Sequence, residues 1–254
     1  MALEADARSI RQVRCRRTRK SSPPPSASRG QAMRYPYSDG YELGLTTGHR
    51  PQSGYRGDMA AELLEWAERT AQNLLSDLPT RLAHVAGVAR QAELVAGLVD
   101  DGDLLIAAAW LHDVGYSPQL VRTGFHPVDG AEFLRDQGAP PRLCALVAHH
   151  SCARVEARNR EVPLPWSDEC SPLRDALWWA DMTTTPTGDT TDISSRLAEV
   201  CERYGPDHVV SRSVTEAAPE LLAAGARTME AAHRSGKWSP RSARTRSGRA
   251  IRQD

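Results

Sequence analysis

Apolar residues recur at helical spacing from Met59 onward. Positions 60, 63, 64, 67, 71, 74 and 75 repeat close to every 3.6 residues and predict a helix over 59–75. Asp77-Leu78-Pro79-Thr80 breaks the pattern. Thr80 is a candidate cap for a second helix over 81–99, with Leu82, Val85, Val88, Ala89, Ala92 and Val95 on one face. Asp103 is a candidate N-cap for the next run, Leu104 to Leu111, which is apolar on every side as a central helix would be. Pro127 suits a first helical turn and opens a helix to Gln137, with Gly138 as its C-cap; Pro140 and Pro141 start the next, running to His150. Residues 153–172 carry Pro163, Pro165 and Pro172 without a period and read as an irregular connection. Further helices are predicted over 173–182, 193–204 and 217–232. No segment alternates with period two, so the expected fold class is all-α.

Charge divides this chain into three. Residues 1–34 carry nine Lys/Arg and two acids, residues 234–254 seven and one, and residues 35–233 sixteen and 29. The ends are basic, rich in Ser, Pro or Gly, and without periodicity. Residues 1–58 and 237–254 are therefore expected to be disordered basic tails around one folded domain, 59–236. The folding pattern opens at Met59, and Met33 or Met59 is a candidate natural start. The run Arg14 to Lys20 has the charge to touch nucleic acid, but its composition is that of a solvated tail, and nucleic acid is not an expected partner. Cysteines 15, 144, 152, 170 and 201 are scattered with no CxxC pair, which points to a reducing cytoplasm. No apolar stretch reaches the ~18 residues of a membrane span.

The chemistry begins at His112-Asp113, where a metal ligand and a carboxylate end the apolar run. Burying both costs several kcal/mol unless something pairs with them, and a divalent ion would. Five of the eight histidines, at 84, 112, 126, 149 and 150, fall in one stretch of the chain. Asp181 lies in a third apolar run beside Trp178, Trp179 and Met182, where an unpaired carboxylate would be costly. Successive helical side chains point about 100° apart, so His112 and Asp113 can share an ion only at a helix end.

The order His84, His112-Asp113, His126, His149-His150, Asp181 resembles the HD-domain metal-dependent phosphohydrolases, over about residues 59–233. Arg81-x-x-His84 has the spacing of the first ligand in that family. The resemblance implies an HD-domain helical bundle with His84, His112, Asp113 and Asp181 around one divalent ion. His126 and the pair His149-His150 would extend it to two, as in binuclear branches such as the HD-GYP cyclic-dinucleotide phosphodiesterases and the HD-type dinucleoside-tetraphosphate hydrolases. Ser151 favours His150 as the ligand of that pair, with His149 orienting it or touching substrate. Imidazole mixed with carboxylate suits Mn, Fe, Zn, Co or Ni. His112 and Asp113 would be the catalytic pair, Asp113 bridging the ions while activated water attacks the phosphorus of a nucleotide-like phosphoester or phosphoanhydride. Tyr116 stands where related branches carry Glu or Lys, and residues 151–156 lack the Gly-Tyr-Pro signature, so cyclic-dinucleotide hydrolysis is not implied. Arg81, Arg122 and Arg154 are candidates for phosphate contact. The threonine run 183–187 is either a pocket wall or a cap for the next helix. Two other readings share the ligand order: a di-iron oxygenase of the inositol-oxygenase type, and a non-catalytic nucleotide-binding HD domain.

Overall fold

In the computed structural model, residues 34–35 and 53–236 are described, with side chains from 58 onward in the second segment. Both predicted basic tails lie outside these residues, apart from Arg34, Tyr35 and Ser53–Asp58. The described chain is helical throughout, and its one β-type pairing is an isolated bridge between Thr184 and Thr190.

The helices are α1 (Ser53–Leu74), α2 (Pro79–Val95), α3 (Gly102–Leu111), α4 (His126–Asp136), α5 (Pro141–Ala148), α6 (Ala153–Asn159), α7 (Pro172–Met182), α8 (Ile193–Tyr204) and α9 (Val209–Arg234). Helix α3 is the hub: Leu104, Leu105, Ala107, Ala108, Ala109 and Leu111 are buried, and α1, α2, α5 and α7 pack around it. A helix apolar on all sides can lie only at a centre. A second layer forms where α9 crosses α6, α7 and α8 over Trp178, Met182, Val200, Val214 and Leu221.

Local chemistry moves several predicted boundaries. The first helix begins at Ser53, six residues before the periodic pattern. Pro79, not Thr80, opens α2, as a residue without an N–H can at a first turn. Asp101, not Asp103, caps α3 by accepting from the Leu104 amide at 3.3 Å. Residues 96–98 tighten into a 3₁₀ turn instead of continuing α2. Helix α6 falls inside the predicted irregular connection: two turns carry too little periodicity to be legible, and packing of Ala153 and Ala157 beside Phe125 and Val128 stabilises them. Helix α9 begins eight residues before the predicted 217. Pro219 sits in its interior.

Candidate metal centre

Helix ends build the site. Helix α3 stops at Leu111, and His112 keeps helical dihedrals as its C-cap. Asp113 leaves the helix at φ −107° and ψ 8°, entering the 3₁₀ turn Val114–Tyr116. This break lets two successive side chains turn to one place. His126 is the first residue of α4, His150 follows the C-cap of α5, and Asp181 lies in the last turn of α7. Only His84 comes from within a helix, α2.

Asp113 is the centre. Its Oδ2 lies 3.8 Å from His84 Nε2 and 3.5 Å from His112 Nε2. Its Oδ1 lies 3.2 Å from His126 Nε2 and 3.5 Å from His150 Nε2. Asp181 joins the first group, with Oδ1 at 3.1 Å from His84 Nε2 and 3.9 Å from His112 Nε2. Two ligand sets, His84/His112/Asp113 and Asp113/His126/His150, thus share one carboxylate. All but His126, which is partly buried, are fully buried.

Backbone carbonyls orient the rings. His112 Nδ1 donates to Ala109 O at 2.7 Å, His150 Nδ1 to Val147 O at 2.7 Å, and His84 Nδ1 to Thr185 O at 3.0 Å. A carbonyl only accepts, so each neutral ring carries its proton on Nδ1 and aims the Nε2 lone pair inward. His112 Nε2 is buried without a hydrogen-bond partner. Lone pairs therefore converge on carboxylate oxygens, an arrangement that needs a cation between them. The donor set fits a divalent transition-metal ion.

The electrostatics carry the same demand. Burial disfavours a charged His112, yet Asp113 and then Asp181 outweigh it and push the ring up to about 9. Burial pushes His84 down, and burial with His112 and His126 nearby takes His150 down to about 3. Burial alone would raise Asp113, but Arg81, followed by His112, holds it well below the carboxylate range. Asp181 is depressed likewise by His84 and His112. A proton on His112 or a metal ion answers the same need, and metal uptake would release that proton.

Several neighbours position these groups. Arg81 Nη1 donates to Asp113 Oδ2 at 2.6 Å. Its guanidinium lies 4.0 Å over the Tyr116 ring, which stacks on His126 at 3.9 Å. Ser151, in the left-handed region at φ +47°, donates to Asp181 Oδ2 and so turns Oδ1 toward the histidines. Buried Asp129 accepts from the Thr123 amide and hydroxyl, both at 2.8 Å, and from the Gly124 amide at 3.1 Å. These bonds fold the turn that delivers His126. Ser151 and Asp129 were not singled out as positioning groups in the sequence. An Asp three residues into a proline-opened helix was the available signal for the second.

Three sequence expectations change. His149 faces elsewhere: its Nε2 donates to Trp166 O at 2.6 Å, its carbonyl accepts from Trp178 Nε1 at 2.8 Å, and it joins neither ligand set. As the C-cap of α5 it is rotated away from its neighbour His150. Arg122 is held by Asp136 at 2.9 Å and Glu132 at 3.3 Å, and Arg154 by Glu220 at 2.6 Å; neither lines the cleft that opens over the metal ligands. The threonine run neither caps α8, whose cap is Asp192, nor lines that cleft. Thr183 and Thr184 spend their hydroxyls on Trp179 O and Ala180 O at 2.7 Å.

The cleft has a cavity volume of about 90 Å³ and opens to solvent. Arg81, Asp113, His126, His150 and Asp181 line it, together with Arg196, Val200, Arg203 and Tyr204 of α8.

No curated protein and no solved structure matches the chain. The HD-domain family profile matches residues 81–186, a span from Arg81 through His84, His112-Asp113 and Asp181. Residues 81–186 of this chain are an HD domain, a superfamily composed mostly of metal-dependent phosphohydrolases.

Proposed function

We propose that the protein is a metal-dependent phosphohydrolase that cleaves a phosphoester or phosphoanhydride bond of a nucleotide-like substrate. One observation carries this reading: inward-facing imidazole nitrogens meet both oxygens of Asp113 in two ligand sets beneath an open cleft. His84, His112, Asp113 and Asp181 would hold one divalent ion, and Asp113, His126 and His150 a second. When bound, such ions acidify water and neutralise charge on phosphoryl oxygens. The chain's own residues prepare that chemistry. The carbonyls of Ala109, Val147 and Thr185 keep three rings in the ligating tautomer. Ser151 fixes the orientation of Asp181. Arg81, stacked on Tyr116, places a permanent cation at the cleft wall where it can meet a phosphoryl oxygen. Free Cys144, Cys152, Cys170 and Cys201 fit a reducing cytoplasmic setting, and among the described residues no helix is long and apolar enough to cross a membrane.

Metal analysis of the purified protein, followed by a phosphate-release screen across nucleotides and dinucleotides, tests the reading. His112→Ala and Asp113→Ala should each lose bound metal and at least about 100-fold of activity, with helix content unchanged. Metal retained at full stoichiometry in both variants would refute the site. Turnover that requires dioxygen would replace hydrolysis by the oxygenase reading.

A further inference from the structure

Part of the cleft lining lies outside the family-matched segment. Helix α8 begins at Ile193, beyond residue 186. It presents Arg196, Val200, Arg203 and Tyr204 to the cleft, at i, i+4, i+7 and i+8, one face of a helix. The two arginines stand roughly 10 Å apart along the axis, seven residues at about 1.5 Å each. Both are held by one acid: Arg196 Nη1 pairs with Glu199, and Arg203 Nε lies 3.2 Å from the same carboxylate. One carboxylate between two guanidinium groups leaves a net positive charge. Arg196 is 7 % exposed, and its Nε is buried without a partner. A buried guanidinium with hydrogen-bonding capacity left over is costly unless an anion completes it. Arg203 lies 5.0 Å over the Tyr204 ring, which stiffens it at the rim. Between the arginines, Val200 joins Met182, Val210 and Val214 as an apolar stretch of lining.

We infer that α8 is a recognition wall for a second anionic group of the substrate, which assigns this cleft to nucleoside polyphosphates in preference to monophosphates. The inference rests on the phosphohydrolase reading of the His/Asp centre. One phosphoryl group lies at the His/Asp centre, the next reaches Arg196 and Arg203, and the apolar stretch receives the base. Arg122 and Arg154, the exposed arginines of the sequence pattern, do not line the cleft, whereas Arg196 and Arg203 do.

Binding of inorganic triphosphate and inorganic orthophosphate, each by calorimetry, separates the contributions. The full chain is used in two forms, loaded with Mn²⁺ and desalted, and stripped with chelator. In both forms the wild type should prefer triphosphate by about 10-fold or more, the worth of one charge-assisted hydrogen bond. Arg196→Gln and Arg203→Gln should each cut the preference to about 3-fold or less, with metal content and orthophosphate affinity unchanged. Arg203 is on the rim, so its variant decides the matter if Arg196→Gln does not fold. A wild type without the preference, or an Arg203→Gln protein that keeps it, overturns the inference. A chain that takes up no Mn²⁺ but retains an arginine-dependent preference upholds the wall and removes the phosphohydrolase reading.

Discussion

At the residue scale, the two adjacent histidines show how far a single peptide step separates roles. His150 has a small environment of its own, with Nδ1 on the Val147 carbonyl and Nε2 facing Asp113 and His126. His149 ties the loop at Trp166 to the end of α5. His150→Ala should therefore halve the metal content of a two-ion centre. His149→Ala should leave metal content intact and cost about 1 kcal/mol of stability, one lost hydrogen bond. Parallel metal analysis and denaturant unfolding would show the split; metal loss in His149→Ala would sink it. The sequence held both residues as candidates. Neither residue type nor spacing distinguishes them, because the choice depends on the dihedral turn at the C-cap of α5.

At the element scale, close backbone contact fixes where the helix ends meet. Gly115 follows the His112-Asp113 pair in the 3₁₀ turn. A Cβ there would strike the His126 carbonyl and come within 2.7 Å of the Gly130 amide. The turn and the start of α4 can touch only because that side chain is missing, and this contact brings His126 to Asp113. Gly188 does the same service for His84: it packs on the Ala83 carbonyl, so the loop that supplies Thr185 O lies against α2. Gly115→Ala should cost on the order of 3 kcal/mol and release His126, giving partial metal loss even where the protein remains folded. Circular dichroism melting with metal titration checks both effects, and a wild-type midpoint with wild-type metal content would contradict the argument. Most helices were legible from periodicity and proline placement. Helix α6 and the first turns of α9 were not, because packing against other helices makes them, and a one-dimensional pattern does not contain that packing.

At the scale of the whole molecule, α7 joins the two layers. Its last turn carries Asp181 into the candidate metal centre, while its first half carries Asp175 into an ion network with Arg174 at 3.2 Å and Arg227 of α9 at 2.6 Å. Burial would raise the Asp175 carboxyl, but its hydrogen bonds to Arg227 and Arg174 lower it below its ordinary value of 3.8. A depressed folded-state value means that the unfolded chain binds the proton first. The stabilisation is therefore full at neutral pH and begins to fall as pH drops toward the unfolded-state value of 3.8. It is gone below the folded-state value. Asp175→Asn should lose about 2 kcal/mol at pH 7 and little in strong acid, less than a fully buried pair because Arg227 is half exposed. Urea unfolding of both proteins from pH 7 down to pH ~2 would reveal convergent stabilities; parallel curves would show that the network contributes nothing.

The sequence by itself determined the all-α class, the position of the central helix and the residue types of the centre. Each follows from local physics: period, turn chemistry, and the cost of leaving His112, Asp113 and Asp181 unpaired in apolar surroundings. The tertiary structure alone decided which histidine faces inward, which oxygen of Asp113 serves which ligand set, and that Arg196 and Arg203 line the same cleft. Those outcomes depend on where helix ends stop and on which backbones approach closely, and both are set by packing between segments far apart in the chain. His112-Asp113 could be read as a ligand pair from its neighbours, but Asp113 becomes the shared member of two candidate ligand sets only because the chain leaves the helix between the two residues.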